Sequence, residues 1–130
     1  MRYRFTIDSR VDRLDSLYRW LERLLHRRRV DLLLSQNVIL VCQELTTNSI
    51  IHGNRGIKSK KVHIELSVTS KRVRLKIVDC GSGRFKIPTK RDASKLNYLE
   101  ECGRGLKLAV LMSSLVTLKG RALRVYFNRK

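Results

Sequence analysis

The chain has 130 residues, 42% of them hydrophobic, which is enough for one core and too little for two domains of ordinary size. Its 29 Lys and Arg against 11 Asp and Glu give a net charge of +18, which predicts attraction to nucleic acid, an acidic membrane or an acidic protein. No apolar run approaches the roughly 20 residues that span a bilayer, and the N-terminus lacks a signal-peptide core. We therefore expect one cytoplasmic domain, residues 1–130, without a membrane partner.

The three cysteines form an odd set without a CxxC pair. Cys42, Cys80 and Cys102 also lack metal-ligand spacing with the three histidines. This pattern favours neither a disulfide framework nor a zinc site, so reduced, structural thiols are expected.

The N-terminal third predicts one strand and two helices. Tyr3, Phe5 and Ile7 alternate with polar residues, which is typical of a strand with one buried face. Asp8 and Ser9 are predicted to cap a first helix. Its apolar stripe comprises Val11, Leu14, Tyr18, Leu21 and Leu25. A second helix is predicted over residues 35–51, ending at Gly53. Its apolar face comprises Val38, Val41, Cys42 and Leu45.

The remaining chain predicts a hairpin, a long loop, a helix and two closing strands. Residues 62–68 and 73–77 alternate strongly around a turn at residues 70–71. Residues 83–103 are mostly polar, and a loop of that length is often a functional lid. A helix is expected at residues 106–115, followed by strands at 116–118 and 123–127. The outward strand positions should make one sheet face basic, through Arg2, Arg4, Arg72, Arg74 and Lys76.

A polar stripe interrupts the second predicted helix. Glu44, Asn48 and His52 recur at four-residue spacing, which places them on one helical face ahead of Gly53 and Asn54. A solvent-facing stripe would have the same spacing. Alternatively, the stripe indicates a Mg-nucleotide site, with Asn48 as an oxygen ligand of Mg²⁺ and Glu44 as an acid/base group.

Two glycine-containing motifs follow. Asp79 ends a predicted strand and begins Asp-x-Gly-x-Gly with Gly81 and Gly83, a sequence typical of turns. The carboxylate can also accept a hydrogen bond from an exocyclic amino group, and the glycines let backbone approach a ligand. The third motif opens a helix, where free N–H groups suit phosphates, and consists of Gly103, Arg104, Gly105 and Leu106.

In this order and at these separations, the three motifs resemble the N, G1 and G2 boxes of the GHKL superfamily, which includes gyrase, Hsp90, histidine kinases and MutL. The resemblance covers essentially the whole chain and implies an α/β, more closely α+β, two-layer Bergerat fold. Its sheet would be mixed but mostly antiparallel, with helices on one face. The short length and the string from Glu44 to Gly53 resemble the anti-sigma-factor serine kinases of partner-switching pathways.

That resemblance implies a role for each motif residue, with ATP and Mg²⁺ as ligands. Asn48 would coordinate Mg²⁺, Glu44 would be the general base on a serine hydroxyl, and Asp79 would accept from the adenine amino group. Gly81 and Gly83 would flank the nucleotide. The phosphates would meet Gly103, Arg104 and Gly105 beneath a lid at residues 84–102. His52 would lie near the phosphates or ribose.

The family resemblance also implies partners. These are a sigma factor, a STAS-domain anti-anti-sigma protein as substrate, and a second copy in a homodimer. In this sequence Gly120 is followed by Arg121 where the family commonly has threonine, which supports an alternative: a nucleotide-gated binding protein with little or no kinase activity. A sensor-kinase domain is disfavoured because Arg27 follows His26. Nucleic-acid binding driven by the charge remains a further hypothesis, although no aromatic stacking set is visible.

Overall fold

Five antiparallel strands form one open sheet in the computed structural model, which describes residues 1–81, 87–94 and 104–130. The strand order is β1-β2-β3-β5-β4, and every pairing among these strands is antiparallel. The strands are β1 (Arg2–Asp8), β2 (Lys61–Val68), β3 (Arg72–Val78), β4 (Leu115–Lys119) and β5 (Ala122–Asn128). The predicted hairpin and closing strand pair are therefore confirmed.

Among the described residues, four α-helices accompany the sheet, as expected for an α+β Bergerat fold. They are α1 (Leu14–Arg27), α2 (Leu32–Asn48), α3 (Lys90–Ala93) and α4 (Arg104–Met112). α3 lies within the long polar segment predicted as a lid. In the described part of the chain, no helix combines the length and apolar character required to cross a bilayer.

The core lies between the helices and one face of the sheet. Alternate strand residues point towards the helices and are buried, as the period-two pattern predicts. On β2 and β3 these are Val62, Ile64, Leu66, Val68, Val73, Leu75 and Ile77. Leu17, Leu21 and Leu25 of α1 are fully buried and belong to the same core cluster. At the β1 edge, the rings of Phe5 and Trp20 lie 5.2 Å apart between centroids.

The predicted start of the first helix is wrong. Asp8 ends β1 and forms an ion pair with Lys61, its partner across the strands. The Ser9 hydroxyl donates to the Lys60 carbonyl at 2.7 Å. Since both side chains bind β2 or its preceding residue, neither caps α1, which begins at Leu14 after a 3-10 turn (Val11–Arg13). Val11, predicted on the apolar stripe, is 57% exposed.

The second helix begins earlier and ends earlier than predicted. The Asp31 side chain accepts a hydrogen bond from the Leu34 N–H at 3.3 Å and caps α2. Its predicted apolar face is buried throughout. After Asn48 the chain changes to a π-helical turn (Ser49–Gly53). A π turn contains more residues than an α turn, and His52 is exposed on it, whereas Glu44 and Asn48 are half-buried.

Candidate functional site

Glu44 and Asn48 lie one turn apart on α2, where α4 begins. Both side chains are half-buried. A β-carbon added to Gly105 would lie 2.6 Å from Nδ2 of Asn48 and 3.4 Å from Cβ of Glu44. A side chain at position 105 would therefore require the Asn48 amide to move, whereas glycine lets the first turn of α4 lie directly against it. The helix N-terminus and the polar pair form one continuous surface.

Asp79 follows β3 and rests against the π turn. Its Oδ1 accepts a hydrogen bond from the Gly81 N–H at 2.7 Å. A β-carbon on Gly53 would lie 2.6 Å from Cγ of Asp79, and one on Gly81 would lie 3.1 Å from Cα of Gly53. The two glycines thus permit close contact between the loop after β3 and the turn that continues α2. This contact fixes where the Asp79 carboxylate stands.

Asn54, whose role the sequence did not reveal, holds this junction together. The side chain is fully buried, and its Nδ2 donates to Ser9 Oγ at 2.8 Å and to the Lys61 carbonyl at 3.0 Å. Its Oδ1 accepts from the Cys80 N–H at 2.7 Å. One amide therefore connects the end of β1, the start of β2 and the residue after Asp79. Its position directly after His-Gly was the only signal in the sequence.

Tyr18 of α1 is a second neighbour that was predicted only as a core residue. Burial raises its pKa, a hydrogen bond with Thr47 opposes this rise, and the nearby Glu44 carboxylate adds to it. The phenol therefore remains neutral over the physiological range. It supplies a polar O–H close to the proposed general base.

The predicted site residues fall into three groups according to where they lie in the structure. Glu44, Asn48 and Gly105 meet at the α2–α4 contact, and Asp79 and Gly81 meet at the π turn that extends α2. His52 lies on that turn and is exposed. Gly83 and Gly103 lie outside the described residues, as does most of the predicted lid. Arg104 begins α4, but its side chain also lies outside the described part.

These residues have the chemistry needed for a magnesium nucleotide. The α4 N-terminus, which lies against Asn48 and Glu44, carries N–H groups without helical partners. Within the described residues, no three His, Cys, Asp or Glu side chains cluster as a metal site. Mg²⁺ bound through phosphates needs only one or two protein oxygens, and the Asn48 amide oxygen would supply one.

The sheet, helical layer and order of elements define an α+β domain of the GHKL, Bergerat-fold class. A family model described as a histidine kinase-like ATPase domain matches residues 7–127. The chain therefore belongs to the histidine kinase-like ATPase domain family, and ATP binding follows from that membership. No curated protein matched the chain.

The contact between Gly53 and Asp79 can be tested by a double-mutant cycle. Gly53→Ala should destabilise the fold by about 1–3 kcal/mol because the added methyl group overlaps the carboxylate. In an Asp79→Ala background the same change should cost less than about 0.5 kcal/mol. Urea denaturation measures all four proteins. Equal costs in both backgrounds would show that the methyl group meets something other than Asp79.

The two described cysteines should differ in reactivity. Burial raises the pKa of the Cys42 thiol to about 12, so it stays protonated and shielded, whereas Cys80 is exposed. Thus Cys80, beside Asp79, departs from the expectation of purely structural thiols. Iodoacetamide at about pH 8 should alkylate Cys80 and spare Cys42, and MgATP should slow the Cys80 reaction. Peptide mass mapping distinguishes the labelled peptides of Cys80, Cys42 and Cys102. An unchanged rate of Cys80 labelling at saturating MgATP would contradict the placement of Cys80 beside the nucleotide.

Proposed function

We propose that the chain is an ATP-binding anti-sigma factor and serine protein kinase. In this function it sequesters a sigma factor and phosphorylates a STAS-domain anti-anti-sigma antagonist. The observation that supports a kinase most directly is the placement of Glu44 one turn before Asn48, at the α4 N-terminus, within a histidine kinase-like ATPase domain. A carboxylate so close to a metal-ligand amide can accept a proton while the nucleotide is held beside it.

Each residue has a defined part in this proposal. Asp79 accepts a hydrogen bond from the adenine amino group, and Asn54 keeps the loop after β3 in position. The first turn of α4 directs its N–H groups at the phosphates, where Mg²⁺ neutralises charge when bound. Glu44 accepts the proton of the attacking serine hydroxyl. The half-buried position of Glu44 limits the water that competes with that hydroxyl.

A nucleotide-gated binding protein without transfer activity is the second candidate. Its support is Gly120, which has a φ of +62° and forms the β4–β5 turn with Arg121. The turn holds no threonine hydroxyl that could assist at the phosphates. In this alternative the protein still binds ATP and changes its affinity for a partner, but Glu44 transfers no proton.

A single assay separates these candidates. The protein is incubated with γ-labelled ATP, Mg²⁺ and a STAS-domain protein encoded in the same genome, and the label is followed on serine. Label on the STAS serine supports the kinase. ATP binding without transfer, together with ATP-dependent capture of a sigma factor, supports the gated binding protein. Absence of ATP binding would overturn both.

The proposed homodimer has a separate test. Sedimentation equilibrium with and without MgATP measures the mass of the assembly directly. A mass of about twice the 15.2 kDa chain supports the dimer, and a monomer at all concentrations would contradict it.

A further inference from the structure

The face of the sheet that points away from the helices is densely cationic, and we call it the outer sheet face. Cross-strand register places its charged side chains in adjacent rows, since directly paired residues point to the same side. Its cations are Arg2, Arg4, Lys61, Arg72, Arg74, Lys76, Lys119 and Arg124, and His63 lies among them. The predicted basic face is therefore confirmed and extends to β5 and β4.

Few carboxylates neutralise this face. Among the strand residues on it, only Asp8 and Glu65 are acidic. Glu65 accepts a hydrogen bond from Arg74 at 2.8 Å and lies 3.7 Å from Arg4. Asp8 binds Lys61 at the margin, which lowers the Asp8 pKa. The cations between them keep a strong excess of positive charge.

An apolar platform interrupts the cations. Tyr126 of β5 pairs with Arg74 on one side and with Leu115 on the other. Leu115 is 53% exposed, and the Arg72 guanidinium lies 5.6 Å from the centroid of the Tyr126 ring. Arg124 precedes Tyr126 by two residues on the same face. An aromatic ring and an exposed leucine are thus surrounded by guanidinium groups.

We propose that the outer sheet face binds single-stranded nucleic acid. Arginine predominates over lysine around Tyr126. One guanidinium group can donate two parallel hydrogen bonds to the oxygens of a phosphate. The ring offers a stacking surface to a base. The face of a base is free to stack on a side chain in a single strand but not within a duplex. Five strands spaced about 4.8 Å apart give a face roughly 20 Å wide, which fits a few nucleotides. An acidic protein would also match the charge, and a comparison with polyglutamate distinguishes the two partners.

This surface is separate from the proposed nucleotide site. Glu44 and Asn48 lie on α2, in the helical layer that covers the opposite face of the sheet. Substitutions on the outer sheet face should therefore leave MgATP affinity unchanged. That measurement also reports whether each variant is folded, so loss of nucleic-acid binding and loss of ATP binding can be told apart.

The experiment measures anisotropy of a fluorescein-labelled oligothymidylate of about a dozen nucleotides at about 150 mM salt. Arg124→Glu should weaken binding at least about tenfold and lower the dependence of log affinity on log salt by about one unit. The new carboxylate faces Lys76 across the strands, so the sheet retains a favourable pair. Arg23→Glu on the exposed side of α1 makes the same change in net charge and should alter affinity less than about twofold.

A second pair of variants tests stacking. Tyr126→Ala should weaken binding about fivefold or more, and Tyr126→Phe should retain it, because the ring rather than the hydroxyl contacts the base. Equal losses from Arg23→Glu and Arg124→Glu would overturn the proposal, since only diffuse charge would then attract the strand. Tighter binding of a duplex, polyglutamate or anionic vesicles would also overturn it and assign the face to another class of partner.

Discussion

Glu44→Ala is expected to reduce phosphoryl transfer by about two to four orders of magnitude, the range that a positioned general base contributes. Affinity for MgATP should change less than about threefold, because the contacts assigned to the nucleotide come from other residues. Glu44→Gln should behave alike, since it keeps the shape of the side chain and its capacity for hydrogen bonding but not its basicity. Single-turnover transfer from labelled ATP to the STAS-domain protein measures the rate, and fluorescence of an ATP analogue measures affinity.

Variants of the proposed binding residues provide the contrast for Glu44. Asp79→Asn replaces an acceptor by a donor opposite the adenine amino group, and Asn48→Ala removes the proposed magnesium ligand, so both should weaken ATP binding about tenfold to a hundredfold. Transfer in Glu44→Ala at the wild-type rate would refute the base assignment. Weak ATP binding in Glu44→Ala would instead show that Glu44 holds the nucleotide.

Asn54→Ala is expected to destabilise the protein by about 3 kcal/mol. The change removes hydrogen bonds to Ser9, the Lys61 carbonyl and the Cys80 N–H, and it leaves buried groups without partners. For a domain of this size the melting temperature should fall by roughly 10 °C. ATP affinity at a temperature where the variant remains folded should also fall, since Cys80 directly follows Asp79.

Asn128→Ala is the matched control for Asn54→Ala. Asn128 is exposed at the end of β5, so its replacement should change the free energy of unfolding by less than about 0.5 kcal/mol. Thermal unfolding followed by circular dichroism compares the two. If the melting temperature of Asn54→Ala equals that of Asn128→Ala, the buried amide does not hold the three strand ends together.

The sequence predicted the elements better than their ends. Alternation located β2, β3 and β5 because each has one buried face, and helical spacing located the buried side of α2. The start of α1 failed because Asp8 and Ser9 have the composition of a helix cap, yet they bind Lys61 and the Lys60 carbonyl. Such contacts join residues more than 50 positions apart, which no local pattern records.

The candidate site was predicted in part for a similar reason. Glu44, Asn48 and Asp79 stood out as chemical groups in recognisable order, whereas Asn54 acts through three partners on separate segments. The π turn was also hidden, since its residues satisfy helical periodicity as far as Gly53. The platform of Tyr126 and Leu115 depends on the β4–β5 register and has no signature in either strand alone.

Because of the π turn, the site depends on the number of residues between α2 and Asn54. Loss of one residue from Ser49–Gly53 would shorten the turn towards an ordinary α-helix and rotate the following residues by about 100°. Gly53 would then lose its contact with the Asp79 carboxylate. Asn54 would lose its hydrogen bonds to the strand ends. Related chains should therefore tolerate substitutions at the exposed positions of this turn far more readily than a single insertion or deletion.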